Sequence, residues 1–150
     1  MKNIGWKQIN RKWYFFNENS SIMTGWVQDG EGWYYTNESG EMKTGWIKDG
    51  EAWYYTNGNG LLKTGWIKDN ESWHYANRNG VIQTGVIKIN GKVHCFDING
   101  VMQTGQVEID NYKYDFGVNG ELKGNKEPMI NKIFINRGIQ VDLEESIEAI

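Results

Sequence analysis

The chain has 150 residues, 39% of them hydrophobic and 14% aromatic, with eight tryptophans, nineteen glycines, one proline and one cysteine. A net charge of -3 leaves no basic surface for nucleic acid or an anionic membrane, a lone cysteine excludes an intrachain disulfide framework, and no apolar run reaches membrane-spanning length. So much glycine and so little aliphatic bulk imply many tight turns in place of helices around one large core.

At the N-terminus Met1-Lys2-Asn3-Ile4-Gly5-Trp6 carries no apolar segment behind the lysine, so no secretory signal is read there. The expectation is export by a route needing no signal, or a place within a longer exported protein. Gly5 and Trp6 already belong to a repeat. Thr-Gly pairs stand at Thr24-Gly25, Thr44-Gly45, Thr64-Gly65, Thr84-Gly85 and Thr104-Gly105, a period of 20 residues without insertion or deletion. Gly40, Gly60, Gly80, Gly100 and Gly120 keep the same period. All eight tryptophans obey it, as Trp6, Trp26, Trp46, Trp66 and as Trp13, Trp33, Trp53, Trp73.

The third unit shows the element each repeat encodes. In Thr44-Gly45-Trp46-Ile47-Lys48-Asp49-Gly50-Glu51-Ala52-Trp53-Tyr54-Tyr55-Thr56, Asp49-Gly50 between β-formers predicts a two-residue hairpin turn. That turn would set Lys48 against Glu51, Ile47 against Ala52, and Trp46 directly against Trp53, with Tyr54 across from Gly45. The tryptophans then share one face while Ile47, Ala52 and Tyr54 take the other. Asn90-Gly91 and Asp69-Asn70 mark the turn in other units, where a one-residue shift makes the tryptophan contact diagonal but keeps it on one face. Loops such as Asn57-Gly58-Asn59-Gly60 follow, then one apolar residue: Met42, Leu62, Ile82, Met102, Leu122. A lone hairpin this short is marginal, so the hairpins are expected to stack.

The fifth unit has Val86 and Val93, and the sixth Gln106 and Lys113, where the earlier units have tryptophan. The period survives the loss of the pair, which marks the glycines as structural and the tryptophans as separable from folding. After Gly124 the pattern ends. Pro128, an alternating segment from Ile130 to Ile135, and the acidic residues Asp142, Glu144, Glu145 and Glu148 make up residues 125–150, expected to be a cap or tail, with a docking tail as the alternative.

No catalytic, metal or cofactor site is read. His94 and Cys95 point to opposite faces of a strand and cannot form a dyad. His74 and His94 have no accompanying ligands to complete a metal set. Asp29, Asp49 and Asp69 recur at turns, where turn formation explains them. The Asn-x-Ser sequences at Asn37 and Asn70 arise readily in turns of this composition. What the repeats do offer is aromatic: two indoles from one hairpin and a ring from the next form a box suited to a quaternary ammonium, which lacks hydrogen-bond donors and is cheap to desolvate. Sugar faces also suit indole, and cross-strand glue is the purely structural alternative.

Across residues 4–124 the sequence resembles the choline-binding repeats of Gram-positive cell-wall proteins, carried by residues 44–63 and their copies at 24–43 and 64–83. The resemblance implies an all-β fold, a left-handed superhelix of about six 20-residue β-hairpin repeats over residues 1–124, located outside the cell on its wall. It implies choline lodged between hairpins, with phosphocholine of teichoic acid as anchor, and a homodimer. Carried over, one site is Trp6, Trp13 and Tyr34, and a second is Trp26, Trp33 and Tyr54 with Met42 nearby. Trp46 and Trp53 would meet His74, with Leu62 as the apolar companion, and Trp66 and Trp73 would meet His94. Imidazole is a poorer cation wall, and when protonated it repels the ammonium, so these two sites are expected to be weak or pH-sensitive. The last two units look more like glucan-binding and toxin repeats, which keeps carbohydrate as the alternative ligand. The chain thus reads as a non-catalytic binding module.

Overall fold

The first turn position of every repeat holds a residue that tolerates a left-handed backbone: Asn10, Gly30, Gly50, Asn70, Asn90 and Asp110, with φ between 49° and 64°. In the computed structural model, which describes residues 4–131, 133–135 and 139–141, these residues open six two-residue hairpin turns. Arg11, Glu71, Gly91 and Asn111 also take positive φ at the second turn position, as a type I′ turn requires. The fold is all-β, six antiparallel hairpins in series.

Two compact units divide the chain, one running as far as Thr64 and including Arg78–Val81, the other holding Gly65–Asn77 and continuing from Ile82. The first unit contains β1 (Gly5–Ile9) with β2 (Lys12–Phe16), and β3 (Gly25–Asp29) with β4 (Gly32–Thr36) and the short β5 (Met42–Lys43). Its last hairpin joins β6 (Gly45–Asp49) to β7 (Ala52–Thr56). The second unit contains β8 (Gly65–Asp69) with β9 (Ser72–Ala76), β10 (Gly85–Ile89) with β11 (Lys92–Phe96), and β12 (Gly105–Ile109) with β13 (Tyr112–Phe116). A small hairpin of β14 (Ile133–Ile135) and β15 (Ile139–Val141) follows.

The register differs by one residue from the expected one. Gly50-Glu51 forms the turn, so Asp49 faces Ala52, Lys48 faces Trp53, Ile47 faces Tyr54 and Trp46 faces Tyr55. The direct Trp46–Trp53 pair is therefore replaced by a diagonal one, still on a single face. Asn70-Glu71 likewise forms the turn where Asp69-Asn70 was expected. Tyr54 does not lie across from Gly45, whose partner is Thr56. The reason for Gly45 is conformation: its φ is +87° and the space around it is open, so a left-handed backbone explains the glycine and room for a ring does not.

Each loop closes on a side chain. The Asn57 carboxamide oxygen accepts the backbone N–H groups of Asn59 and Leu61 at 2.9 and 3.0 Å, and Asn17, Asn37 and Asp97 do the same in their repeats. The chain then returns, Lys63 N–H donating to the Tyr55 carbonyl at 2.9 Å. Gly60 combines a φ of +87° with close packing, since a Cβ there would lie 2.6 Å from the Met42 sulfur. Gly80 abuts Leu62 and Gly120 abuts Met102 in the same way. The apolar residue of one repeat thus seats on the glycine of the next.

The second unit has the largest continuous core described, built from Val86, Val93, Cys95, Ile109, Tyr114 and Phe116, with Val107, Leu122 and Ile130 against it. Buried Pro128 precedes Ile130, and Asn131 N–H donates to the Val86 carbonyl at 2.6 Å. Asp142, Glu144, Glu145 and Glu148 lie outside the described residues.

Candidate functional site

The strand alternation sets the geometry of the boxes. Trp26 on β3 and Trp33 on β4 share a face because Trp26 pairs with Tyr35 and Gln28 with Trp33. Tyr54, on the opposite face of its own hairpin, meets Trp26 edge-on with ring centroids 5.0 Å apart at 64°. Leu62 N–H donates to the Trp33 carbonyl at 2.8 Å, which pins the fourth wall. Together Trp26, Trp33, Tyr54 and Leu62, with Arg78 and Asn79 at the rim, line a cavity of about 360 Å³. Trp33 is 42% exposed, an open indole face of the kind solvent does not reward without a partner.

The apolar companion in this cavity is Leu62. Met42, expected here, is not among its lining residues and lies against Gly60. The second unit repeats the arrangement: Trp66, Trp73, His94 and Met102 line a cavity of about 510 Å³ whose rim includes Asn90, Lys92, Val118, Asn119 and Glu121. Met102 N–H donates to the Trp73 carbonyl at 2.8 Å. Met102 stands to Trp66 at the sequence offset at which Leu62 stands to Trp26, and Met42 to Trp6. The first set shows the same aromatic contact, Trp6 and Tyr34 being 5.3 Å apart at 68°, with Trp13 41% exposed. Trp46 and Trp53 belong to the first unit and His74 to the second.

His94 takes the tyrosine position faithfully, its ring 5.0 Å from Trp66. It is buried, and desolvation pushes its pKa below the ordinary histidine value, against the pull of its contact with the Lys92 carbonyl and of Glu121. Burial lowers His74 in the same way, opposed by the Gly100 backbone, Asp69 and Asp97. At neutral pH both imidazoles are uncharged, which removes the repulsion expected of a cationic wall. Lys68, cross-strand from Trp73, holds its ammonium 5.8 Å from that ring without lining the cavity.

One functional contact escapes the sequence reading. Trp26 Nε1–H donates to the Asp49 carboxylate at 3.0 Å, so Asp49 ends strand β6 as an anchor for the indole and is not a turn residue. Its signal was the column Ile9, Asp29, Asp49, Asp69, Ile89 and Ile109, in which the acid stands 23 residues after Trp6, Trp26 and Trp46 and gives way to isoleucine after Trp66 and Val86. Cys95 is fully buried and burial pushes its thiol up to about 12, leaving it an unreactive core residue.

Residues 4–44 match the family model described as "Choline-binding repeat", and residues 44–62 and 64–82 match the one described as "Putative cell wall binding repeat". No curated protein sequence matches. Among solved structures, CbpJ of Streptococcus pneumoniae TIGR4 is similar at 30% identity and a TM-score of 0.79, over 93% of this chain and 48% of that one. CbpF in complex with ipratropium is similar at 35% identity and a TM-score of 0.75, over 81% of this chain and 39% of that one. The modular endolysin Cpl-1, solved with a peptidoglycan analogue, matches at 33% identity and a TM-score of 0.56, covering 85% of this chain and 40% of its own. The chain spans less than half the length of each.

Proposed function

Because the chain belongs to the choline-binding repeat family, whose modules associate with cell walls, we propose that it is a non-catalytic anchor acting outside the cell. It holds the choline of teichoic acids in aromatic boxes between hairpins, at Trp6/Trp13/Tyr34, Trp26/Trp33/Tyr54 and Trp66/Trp73/His94, with Met42, Leu62 and Met102 as apolar walls. The observation that carries this reading is the cavity of Trp26, Trp33, Tyr54 and Leu62, three π-faces and an aliphatic floor around one opening. A trimethylammonium loses little hydration on entering it, and each ring contributes about 0.5–2 kcal/mol of cation–π attraction. After the costs of association a single box reaches a dissociation constant on the order of millimolar. Strong attachment then comes from several boxes engaging one repetitive polymer.

Residues 125–150 serve in this reading as a cap, supported by Ile130 on the core and Asn131 on the Val86 carbonyl. A homodimer is the further expectation that family membership carries, checked by sedimentation equilibrium. The second reading, carbohydrate, is favoured by the cavity in the second unit, where Asn90, Lys92, Asn119 and Glu121 supply hydrogen-bonding groups for hydroxyls beside Trp66 and Trp73. Titration with choline followed by tryptophan emission separates the two. Saturable change with choline, and elution by choline from an immobilised tertiary-amine column, is the expected outcome. Retention on glucan with indifference to choline would replace the anchor by a sugar-binding module.

A further inference from the structure

The opening of the Trp26 box carries a feature that a site for bare choline does not need. Arg78, in the loop Asn77-Arg78-Asn79-Gly80, lines the same cavity as Trp26, Trp33, Tyr54 and Leu62. It is exposed, and among the described residues it makes no ion pair. A guanidinium beside a box that selects a cation opposes the ligand by like charge. The placement becomes favourable when the ligand is a zwitterion, with an anion joined by a short link to its ammonium.

The chain supplies its own contrast. Across the repeats the position of Arg78 is held by Glu18, Glu38, Gly58, Ile98 and Val118, so this loop position carries a cation in one repeat only. In the cavity of the second unit Val118 takes the place that Arg78 takes in the first, and Asn119 the place of Asn79. The tryptophan pair is shared, but the second cavity carries Lys92 together with Glu121, whereas Arg78 is the one charged residue lining the first. Loop formation does not explain the arginine, because Asn57, Asn37 and Asp97 close the same loop with glycine, glutamate or isoleucine at the next position.

We propose that Arg78 is a specificity-determining residue of the Trp26 box, its guanidinium hydrogen-bonding the phosphate oxygens of a phosphocholine whose trimethylammonium end is held by Trp26, Trp33, Tyr54 and Leu62. Guanidinium is suited to this by its fork of donors, which meets two phosphate oxygens at once. The source is the phosphodiester-linked choline of a wall polymer, so the inference rests on the anchoring function proposed above and adds the group that the site reads beyond the ammonium.

The test titrates the whole chain, wild type and Arg78→Gln, with choline, phosphocholine and glycerophosphocholine, following tryptophan emission at low salt. Wild type is expected to prefer the two phosphate esters over choline by about threefold to tenfold, the size of one exposed charge-assisted contact. Arg78→Gln is expected to lose that preference through opposite movements, weaker for the esters and slightly stronger for choline, since a repelling charge has gone. Opposite movements cannot arise from partial unfolding, which weakens every ligand together. Equal affinities in wild type, or a preference that Arg78→Gln retains, would overturn the role of Arg78 while leaving choline binding intact. Silence towards all three ligands would overturn the anchoring function and this inference with it. Vesicles of phosphatidylcholine present the same headgroup in a bilayer, and no co-sedimentation is expected. Sedimentation that Arg78→Gln abolishes would overturn the wall polymer as the source.

Discussion

The second and fifth hairpins put the same backbone frame to opposite uses. In the second, Trp26 and Trp33 stand around an open cavity, with Leu62 N–H on the Trp33 carbonyl. In the fifth, Val86 and Val93 occupy the tryptophan positions, Leu122 N–H reaches the Val93 carbonyl at 2.9 Å, and Tyr114 sits where Tyr54 does. There the box is closed: Val86 is 0% and Val93 4% exposed, packed with Tyr114 and Phe116 and covered by Ile130. The backbone connection survives when the tryptophan goes. Repeat geometry is therefore set by glycines, turns and the apolar stripe, and the indole pair is an addition that keeps the interface open.

The comparison breaks most sharply by truncation. Trp26→Ala or Trp33→Ala is expected to weaken choline binding at least tenfold at that box, by removing one ring worth about 0.5–2 kcal/mol together with the enclosure it provides. Trp66→Ala is expected to cost less, since His94, a poorer cation wall than tyrosine, already weakens that box. Calorimetric titration of the three variants gives the order, and equal losses would contradict it. Val93→Ala reverses the pattern: it leaves a cavity in the packed core and is expected to lower unfolding free energy by about 1–3 kcal/mol, read from urea unfolding. Trp33→Ala, at an exposed ring, is expected to lower it by less than that.

Asp49 sharpens the account from the other side. Asp49→Ala frees the Trp26 indole and is expected to weaken choline binding about threefold to tenfold, whereas Asp49→Asn keeps an acceptor and restores most of the loss. Fluorescence anisotropy of the tryptophans reports whether the indole has been loosened. Equal effects of the two variants would assign the role of Asp49 to its charge.

The smallest effect concerns pH. His94 has a folded pKa below its unfolded one, so between the two values the unfolded chain takes up the proton and the folded chain does not. Stability is full above the ordinary histidine value and falls as pH drops through it, levelling off below the folded pKa. Choline binding at the Trp66 box weakens over the same acid range as the imidazole charges, while the Trp26 box, walled by Tyr54, does not respond. His94→Tyr is expected to abolish the difference between titrations at neutral and mildly acid pH.

The period, the hairpins, the shared tryptophan face and the borrowed ring were all legible in the sequence, because strand alternation and a fixed repeat determine them. The turn was read one residue early. Asp49-Gly50 is a strong local signal, yet the column Asn10, Gly30, Gly50, Asn70, Asn90, Asp110 holds only residues suited to positive φ, and comparing columns would have chosen it. Met42 was assigned to the Trp26 box because the resemblance gives an apolar companion without saying which repeat donates it. The Leu62 N–H to the Trp33 carbonyl decides that, and such a backbone bond leaves no trace in side-chain pattern. Arg78 was missed for a related reason: one charge in a loop is ordinary until the cavity beside it is known.

The most direct measurement is a crystal structure of the chain grown in saturating choline. The account predicts trimethylammonium density enclosed by Trp26, Trp33, Tyr54 and Leu62, and none beside Val86 and Val93. Choline bound away from the indoles, or an empty box at saturation, would contradict it.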